Sequence, residues 1–228
     1  IRFAAALGYD SYTDLQQALQ MELKYRLSTL ERFELLEDAE NDTAVLEGIA
    51  AADSVNIRKN ISRNGAEAIA AFCTRLSFAS KIYVYGQGHC AAAAVYLSSY
   101  LRFLMQNICC INQTGEEPLF VASDIDSGDL LLVISFPIHS ESTRRLVAYA
   151  HERGAAVAAI SESMDSETAR AADAALVCEC GDFGVNGSLA PVISLCGSIV
   201  CLLARNDDKA QKRLRAAGDA IHFRGEQE

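Results

Sequence analysis

The sequence predicts an α/β fold, with a five-stranded parallel sheet flanked by helices and preceded by further helices. From Lys81 onward, short apolar runs alternate with stretches of helical spacing. The runs are nearly continuous in apolar residues, as strands buried on both faces of a parallel sheet are. Two of them, within Lys81–Cys90 and Leu130–Ser140, stop abruptly at Gly, Ser and His and then restart as helices. In a parallel sheet with right-handed crossovers, loops of that kind gather at one edge, over helix N-termini.

Ile1–Leu7 has helical spacing with Phe3 and Leu7 on one face, and Gly8 is a natural helix stop. Thr13-Asp-Leu-Gln16 resembles a capping box that opens a second helix, with Leu15, Ala18, Leu19, Leu23 and Leu27 at i, i+3, i+4 spacing. Residues 28–42 are charge-rich and poor in β-formers and read as a linker. Val45, Leu46, Ile49, Ala52, Val55 and Ile57 mark a connecting helix over 43–60. Asn64-Gly65 interrupts it, and helical spacing resumes over 66–78. Strands follow at 82–85, 108–111, 129–134, 156–160 and 175–178. The helices between and after them cover 89–104, 117–123, 141–153, 166–172, 188–204 and 207–217.

Half of the 228 residues are hydrophobic, ample for a buried core, and 22% are charged. The net charge of −10 argues against the bulk of this chain forming a nucleic-acid surface, which needs clustered Lys and Arg. No apolar stretch reaches the length of a membrane span, so no membrane partner is expected. The N-terminus lacks a secretory layout, because Gly8, Tyr9 and Asp10 end its apolar segment early. Cys73, Cys109, Cys110, Cys196 and Cys201 sit in apolar stretches and read as small core residues. Cys178 and Cys180 form a C-x-C pair without a matching pair or His cluster, so neither zinc nor another metal is expected. Eight such cysteines fit a reducing compartment, and a cytoplasmic protein is expected.

The first loop supplies Gly86, Gly88, His89 and Cys90. Its G-x-G-x-x-A spacing loosely fits a dinucleotide fingerprint, but that site needs an acidic residue after the next strand, where Asn112-Gln-Thr114 stands instead. No cofactor is therefore implied. The second loop supplies Ser135, His139 and Ser140, with Ser142 and Thr143 close behind. Ser140 is the natural N-cap of the following helix, which leaves Ser135 and the first-turn N–H groups to face a ligand. Two loops with this chemistry are best explained by one shared anion site, suited to a phosphate. A third loop, 181–188, either closes that pocket through Ser188 or serves as a plain connection whose Ser188 caps the last apolar helix.

Ile82–Cys90 and Leu131–Ser140, followed by Ala150–Ile160, resemble a sugar isomerase (SIS) domain, a flavodoxin-like fold, over roughly residues 63–205. Ile1–Leu15 resembles the last part of the helix-turn-helix of RpiR-type transcriptional regulators, whose recognition helix runs into a Leu-Gly-aromatic turn. The resemblance implies a helix-turn-helix remnant over 1–27, a helical linker over 28–62, the phosphosugar-binding domain over 63–205 and a terminal helix and tail over 206–228. It also implies that most of the DNA-binding domain lies upstream of Ile1. Many SIS domains carry Ser-Ser where this chain has His89-Cys90. A Ser-x-Ser-Gly-x-Thr loop appears here as Ser135-Phe-Pro-Ile-His-Ser140, with Pro137 replacing the second Ser and Ser140 at the Thr position. His89 and His139 compensate for the lost hydroxyls if they face the pocket, since a cationic imidazole pairs with phosphate.

The implied function is a non-catalytic regulator. A phosphorylated sugar, or a related organic acid, binds the loops, and the protein acts on DNA through the helix-turn-helix as a homodimer or tetramer. The alternative is an aldose–ketose phosphosugar isomerase, which requires a base. Its candidates are Glu179, Glu116 and Glu117, each of which reads from sequence as a solvated loop carboxylate.

Overall fold

The structure, a computed structural model, describes residues 40–111, 117–136, 140–180 and 187–221. The predicted helices over residues 1–27 lie outside the described residues. The described backbone packs into two units, one that takes in 40–52 with 187–188 and one within 53–180 and 189–221. The second unit contains the sheet.

Helix α1 (Asp42–Phe78) is interrupted at Gly65, whose φ of 69° and ψ of 162° are non-helical, at the break expected from Asn64-Gly65. Beyond that break it buries Ile69, Phe72, Cys73 and Leu76, an i, i+3, i+4, i+7 stripe. The sheet elements follow as β1 (Ile82–Gly86), α2 (Cys90–Leu104), β2 (Ile108–Ile111), α3 (Pro118–Val121), β3 (Leu130–Ser135), α4 (Glu141–Glu152), β4 (Ala156–Ser161), α5 (Glu167–Arg170) and β5 (Ala174–Val177). Two helices end the described chain, α6 (Ala190–Asn206) and α7 (Asp208–Ile221).

All neighbouring strands pair in parallel, in the order β2-β1-β3-β4-β5. Every residue of β1 and β3 is buried, which explains why these strands read as continuous apolar runs. Alternate residues feed two cores. Ile82, Val84, Leu132, Ile134 and Ile160 join Phe72 and Leu76 of α1, Leu97 and Leu101 of α2, and Leu195 and Ile199 of α6. Tyr83, Tyr85, Leu131, Val133 and Val157 join Ile125 and the Leu146, Val147 and Ala150 stripe of α4 on the other face. The small residues of α2 and α6 serve this core. Ala93, Ala94 and Cys196 are fully buried there, and Gly197 brings α6 close to the hydroxyl of Tyr96. No single described helix is long and apolar enough to cross a membrane.

The free edge of β5 is covered by α1. Asn64 donates through Nδ2 to the Val177 carbonyl at 2.7 Å and accepts from the Val177 N–H at 2.8 Å. Asn60, one turn earlier and buried, does the same for Glu179, donating to its carbonyl at 3.0 Å and accepting from its N–H at 2.8 Å. The spacings match: four residues of helix rise about 6 Å and two residues of strand about 6.6 Å. Two helical amides thus satisfy the backbone at the end of β5 and just beyond it, in the positions that an adjacent strand would fill there.

All eight cysteines are unpaired. Cys73 and Cys196 are buried as expected of core residues, whereas Cys109 and Cys110 are half-buried and Cys201 is exposed on α6; Cys90 of the first loop is buried as well. Burial raises Cys73 and Cys90 from the ordinary 9.0 to about 11, and Cys196 to about 12. The folded state therefore keeps these protons in the window above pH 9 where the unfolded chain releases them, so their contribution is complete below pH 9 and is lost as pH rises toward 11. Each thiol should cost stability of about 1 kcal/mol at roughly pH 10. Denaturation followed from neutral to alkaline pH should show this decline, and Cys73→Ala with Cys196→Ala should flatten it.

Candidate functional site

The register of the sheet sets Gly86 beside Ile134, so the loops after β1 and β3 leave the same edge side by side. The order β2-β1-β3 also makes this the point where strand order reverses, the place where open α/β sheets form a crevice. A cavity of about 260 Å³ lies there, lined by Gln87, Gly88, His89, Cys90, Ile134, Ser135, Phe136, Ser140 and Thr143. It has room for a small metabolite rather than a dinucleotide.

The first loop turns so tightly that a side chain at Gly86 is excluded. A Cβ there would sit 2.5 Å from the Cys90 carbonyl oxygen and 2.7 Å from its carbonyl carbon. His89 occupies the N-cap position of α2 without a side-chain capping bond, and it is exposed at the cavity. The N–H groups of Cys90, Ala91 and Ala92 turn back onto the carbonyls of Gln87, Gly88 and His89 at 3.1–3.2 Å. These three donors are therefore spent on the turn, and α2 offers fewer free N–H groups than a helix N-terminus normally does. Cys90 is 3% exposed, and the backbone N–H of Phe136 beside it partly offsets the rise that burial imposes on its thiol. It remains a thiol at neutral pH and links the first loop to the second.

The second loop begins at Ser135, buried at the end of β3 and paired in register with Ser161 of β4. Ser140 caps α4 as expected. Its Oγ accepts from the Thr143 N–H at 3.1 Å and lies 2.9 Å from Thr143 Oγ1. The helix geometry leaves the N–H groups of Glu141 and Ser142 without intrahelical acceptors, next to the hydroxyls of Ser140 and Thr143. Thr143, 3% exposed and lining the cavity, belongs with the site. Its signal in the sequence was its place in the first turn after Ser140.

Of the predicted residues, Gly88, His89, Cys90, Ser135 and Ser140 line one cavity, with Gly86 forming the turn behind it. His139 lies outside the described residues. Ser188 does not cap the last apolar helix: α6 starts at Ala190, and the cap position belongs to Leu189. Ser188 falls in the smaller unit, with residues 40–52 and Gly187.

The candidate bases depart from the sequence expectation. Glu179 is not solvated; its side chain is 8% exposed, and its carboxylate accepts from Lys59 Nζ at 2.9 Å and from Arg63 Nη1. Glu117 is exposed and faces Arg145 at 3.9 Å, and Glu116 lies outside the described residues. A buried carboxylate that sequence reading passed over is Glu162, just after β4, which accepts from Ser161 Oγ at 2.8 Å. Among the described residues no three His, Cys, Asp or Glu side chains gather to hold a metal ion.

Comparison with known proteins agrees with this architecture. Residues 75–181 match the SIS domain family. No curated protein sequence matches the chain significantly. The sugar isomerase domain of an RpiR transcription factor from Sphaerobacter thermophilus superposes with a TM-score of 0.69 at 25% identity, over 75% of this chain and 97% of that one. The Vibrio vulnificus NanR protein, solved in complex with ManNAc-6P, gives 0.68 at 16% identity, over 97% of this chain and 79% of that one. The Escherichia coli CFT073 protein c3406, in complex with A5P, gives 0.62 at 14%, over 80% and 100%. The five-stranded parallel sheet with its flanking helices is thus the SIS fold.

The Gly86 turn can be tested directly. Gly86→Ala should cost about 2 kcal/mol, because the clash is with backbone that must move. Gly88→Ala, with a φ of 59° but no atom within 4 Å of the added Cβ, should cost only about 1 kcal/mol. Urea unfolding of both variants checks the order.

Proposed function

We propose that this chain is the effector-sensing part of an RpiR-like transcriptional regulator, and that it binds a phosphorylated sugar in the cavity between the ends of β1 and β3. The observation that carries this reading is the convergence of Ser135, Ser140, Thr143 and the first turn of α4 on one small cavity, with the His89 imidazole opposite. That set supplies neutral donors and a helix N-terminus to an anion while leaving room for a small polyhydroxylated body. The likeness to an RpiR sugar isomerase domain, and to a NanR protein solved with ManNAc-6P, supports the same ligand class. A related organic acid is the second ligand class that the donors fit.

Control of DNA is the remaining part of the proposal. With a net charge of −10, the chain itself is a poor DNA surface, so contact is assigned to a helix-turn-helix to which residues 1–27 contribute the last part. In this reading the protein acts in the cytoplasm as a homodimer, and ligand binding biases one arrangement of the protomers.

We assign binding without turnover. Isomerisation needs a base free to take a proton from carbon, and the Glu179 carboxylate is instead engaged by Lys59 and Arg63.

Thermal unfolding with ManNAc-6P, A5P, citrate and inorganic phosphate tests the proposal. At least one phosphosugar should raise the melting temperature, with Ser135→Ala weakening its binding about tenfold. An undiminished shift in Ser135→Ala would remove that residue from the site. NMR of the incubated phosphosugars should show no aldose–ketose interconversion. Conversion that falls in Glu179→Gln would establish the isomerase instead.

A further inference from the structure

The segment of α1 from residue 53 to Gly65 carries a polar clamp that the proposed function has not used. Asn60 and Asn64 hold the backbone of Glu179 and Val177, and Lys59 and Arg63 hold the Glu179 carboxylate. Four side chains within six consecutive positions of one helix thus converge on Val177, Cys178 and Glu179, at the end of β5 and just beyond it. In contrast, Val55 and Ile61 of the same segment are 59% and 54% exposed. Across Gly65 the character reverses, and the helix is held by the buried apolar stripe of Ile69, Phe72, Cys73 and Leu76.

This division separates a fixed half of α1 from a half held by exchangeable contacts. Gly65 breaks the helical geometry between them, and a Cβ there would meet nothing within 4 Å. The break is therefore a joint with space around it rather than a packed kink. Lys59 and Arg63 are themselves 58% and 51% exposed, so water competes for the groups that bind Glu179.

The clamp also shares a core cluster with the wall of the ligand cavity. Cys178, between the two clamped residues, has its sulfur 3.3 Å from Asn60 Nδ2 and lies in the same core cluster as Cys90 of the cavity wall. Cys180 packs on that cluster, and its thiol contacts that of Cys178. One core cluster thus contains Cys90 of the first ligand loop and Cys178, and Cys178 meets Asn60.

We propose that the Asn60–Asn64 clamp, together with the Lys59–Glu179–Arg63 cluster, couples ligand occupancy to α1, closing more firmly when the cavity between β1 and β3 is filled and opening at Gly65 when it is empty. This rests on the phosphosugar-sensing reading above. Ligand shifts such an equilibrium only by binding the closed state better, and ordering of the strand ends around Cys90 supplies that difference. In sequence, the clamp lies on the part of α1 that precedes Gly65 and the sheet.

Amide hydrogen exchange on the whole chain tests the coupling. ManNAc-6P, A5P and inorganic phosphate are the probes, each at a concentration that saturates its thermal shift. The probe that raises the melting temperature should slow exchange of the Val177 and Glu179 N–H groups about tenfold, and should also slow peptides spanning 53–64. In Asn64→Ala the thermal shift should persist while exchange at Val177 becomes fast and ligand-independent. Lys59→Ala with Arg63→Ala, at half-exposed positions, should give the same separation if the Asn64 variant does not fold. Binding that leaves exchange at Val177, Glu179 and 53–64 unchanged would overturn the coupling but leave the sensor reading intact. If no probe raises the melting temperature, the sensor reading fails and the coupling fails with it.

Discussion

The parallel register that places Gly86 beside Ile134 is the constraint on which the site depends. It sets the loops after β1 and β3 at the same height on the sheet and aims both following helices away from one crevice. The register holds because alternate side chains of both strands are committed to two different cores. A slip of one residue would exchange Tyr83 and Tyr85 for Ile82 and Val84 on every contact surface. The turn that follows then has to be made without a Cβ at Gly86, because the Cys90 carbonyl fills that space. Core packing, turn and cavity are therefore one geometric statement.

Much of this was legible in the sequence because the strands are buried on both faces. Runs such as Leu130–Ile134 cannot be mistaken for half-exposed strands, and their regular alternation with helices leaves few topologies. The Ser140 cap was equally legible, since a hydroxyl just before a helical stretch has a local role that needs no tertiary knowledge. What escaped was non-local. Asn60 read as the last residue of a connecting helix and Asn64 as part of its interruption, and only the fold shows that their one-turn spacing matches Val177 at the end of β5 and Glu179 just beyond it, more than 110 positions away. Glu179 read as solvated for the same reason, because Lys59 and Arg63 lie 120 and 116 positions from it.

Cys90 illustrates a residue whose place in the fold changes how its chemistry reads. It lines the cavity where a relative with Ser would present a hydroxyl. Burial holds it as a thiol beside the Phe136 backbone, so it packs the loops together rather than enriching the donor set. The polar work of the site consequently falls on the second loop and on the exposed His89. In the proposed reading, an anion site weighted toward one helix N-terminus would orient the phosphate and leave the remainder of the ligand to neighbouring strand ends.

A crystal structure of the chain grown with ManNAc-6P tests the central claim most directly. The account predicts a phosphate group within about 3 Å of Ser140 Oγ and the first-turn N–H groups of α4, with the sugar lying against Ser135 and the β1 loop. Density for the ligand in the other cavity, lined by Thr74, Ser77, Phe78 and Asp207, would contradict it.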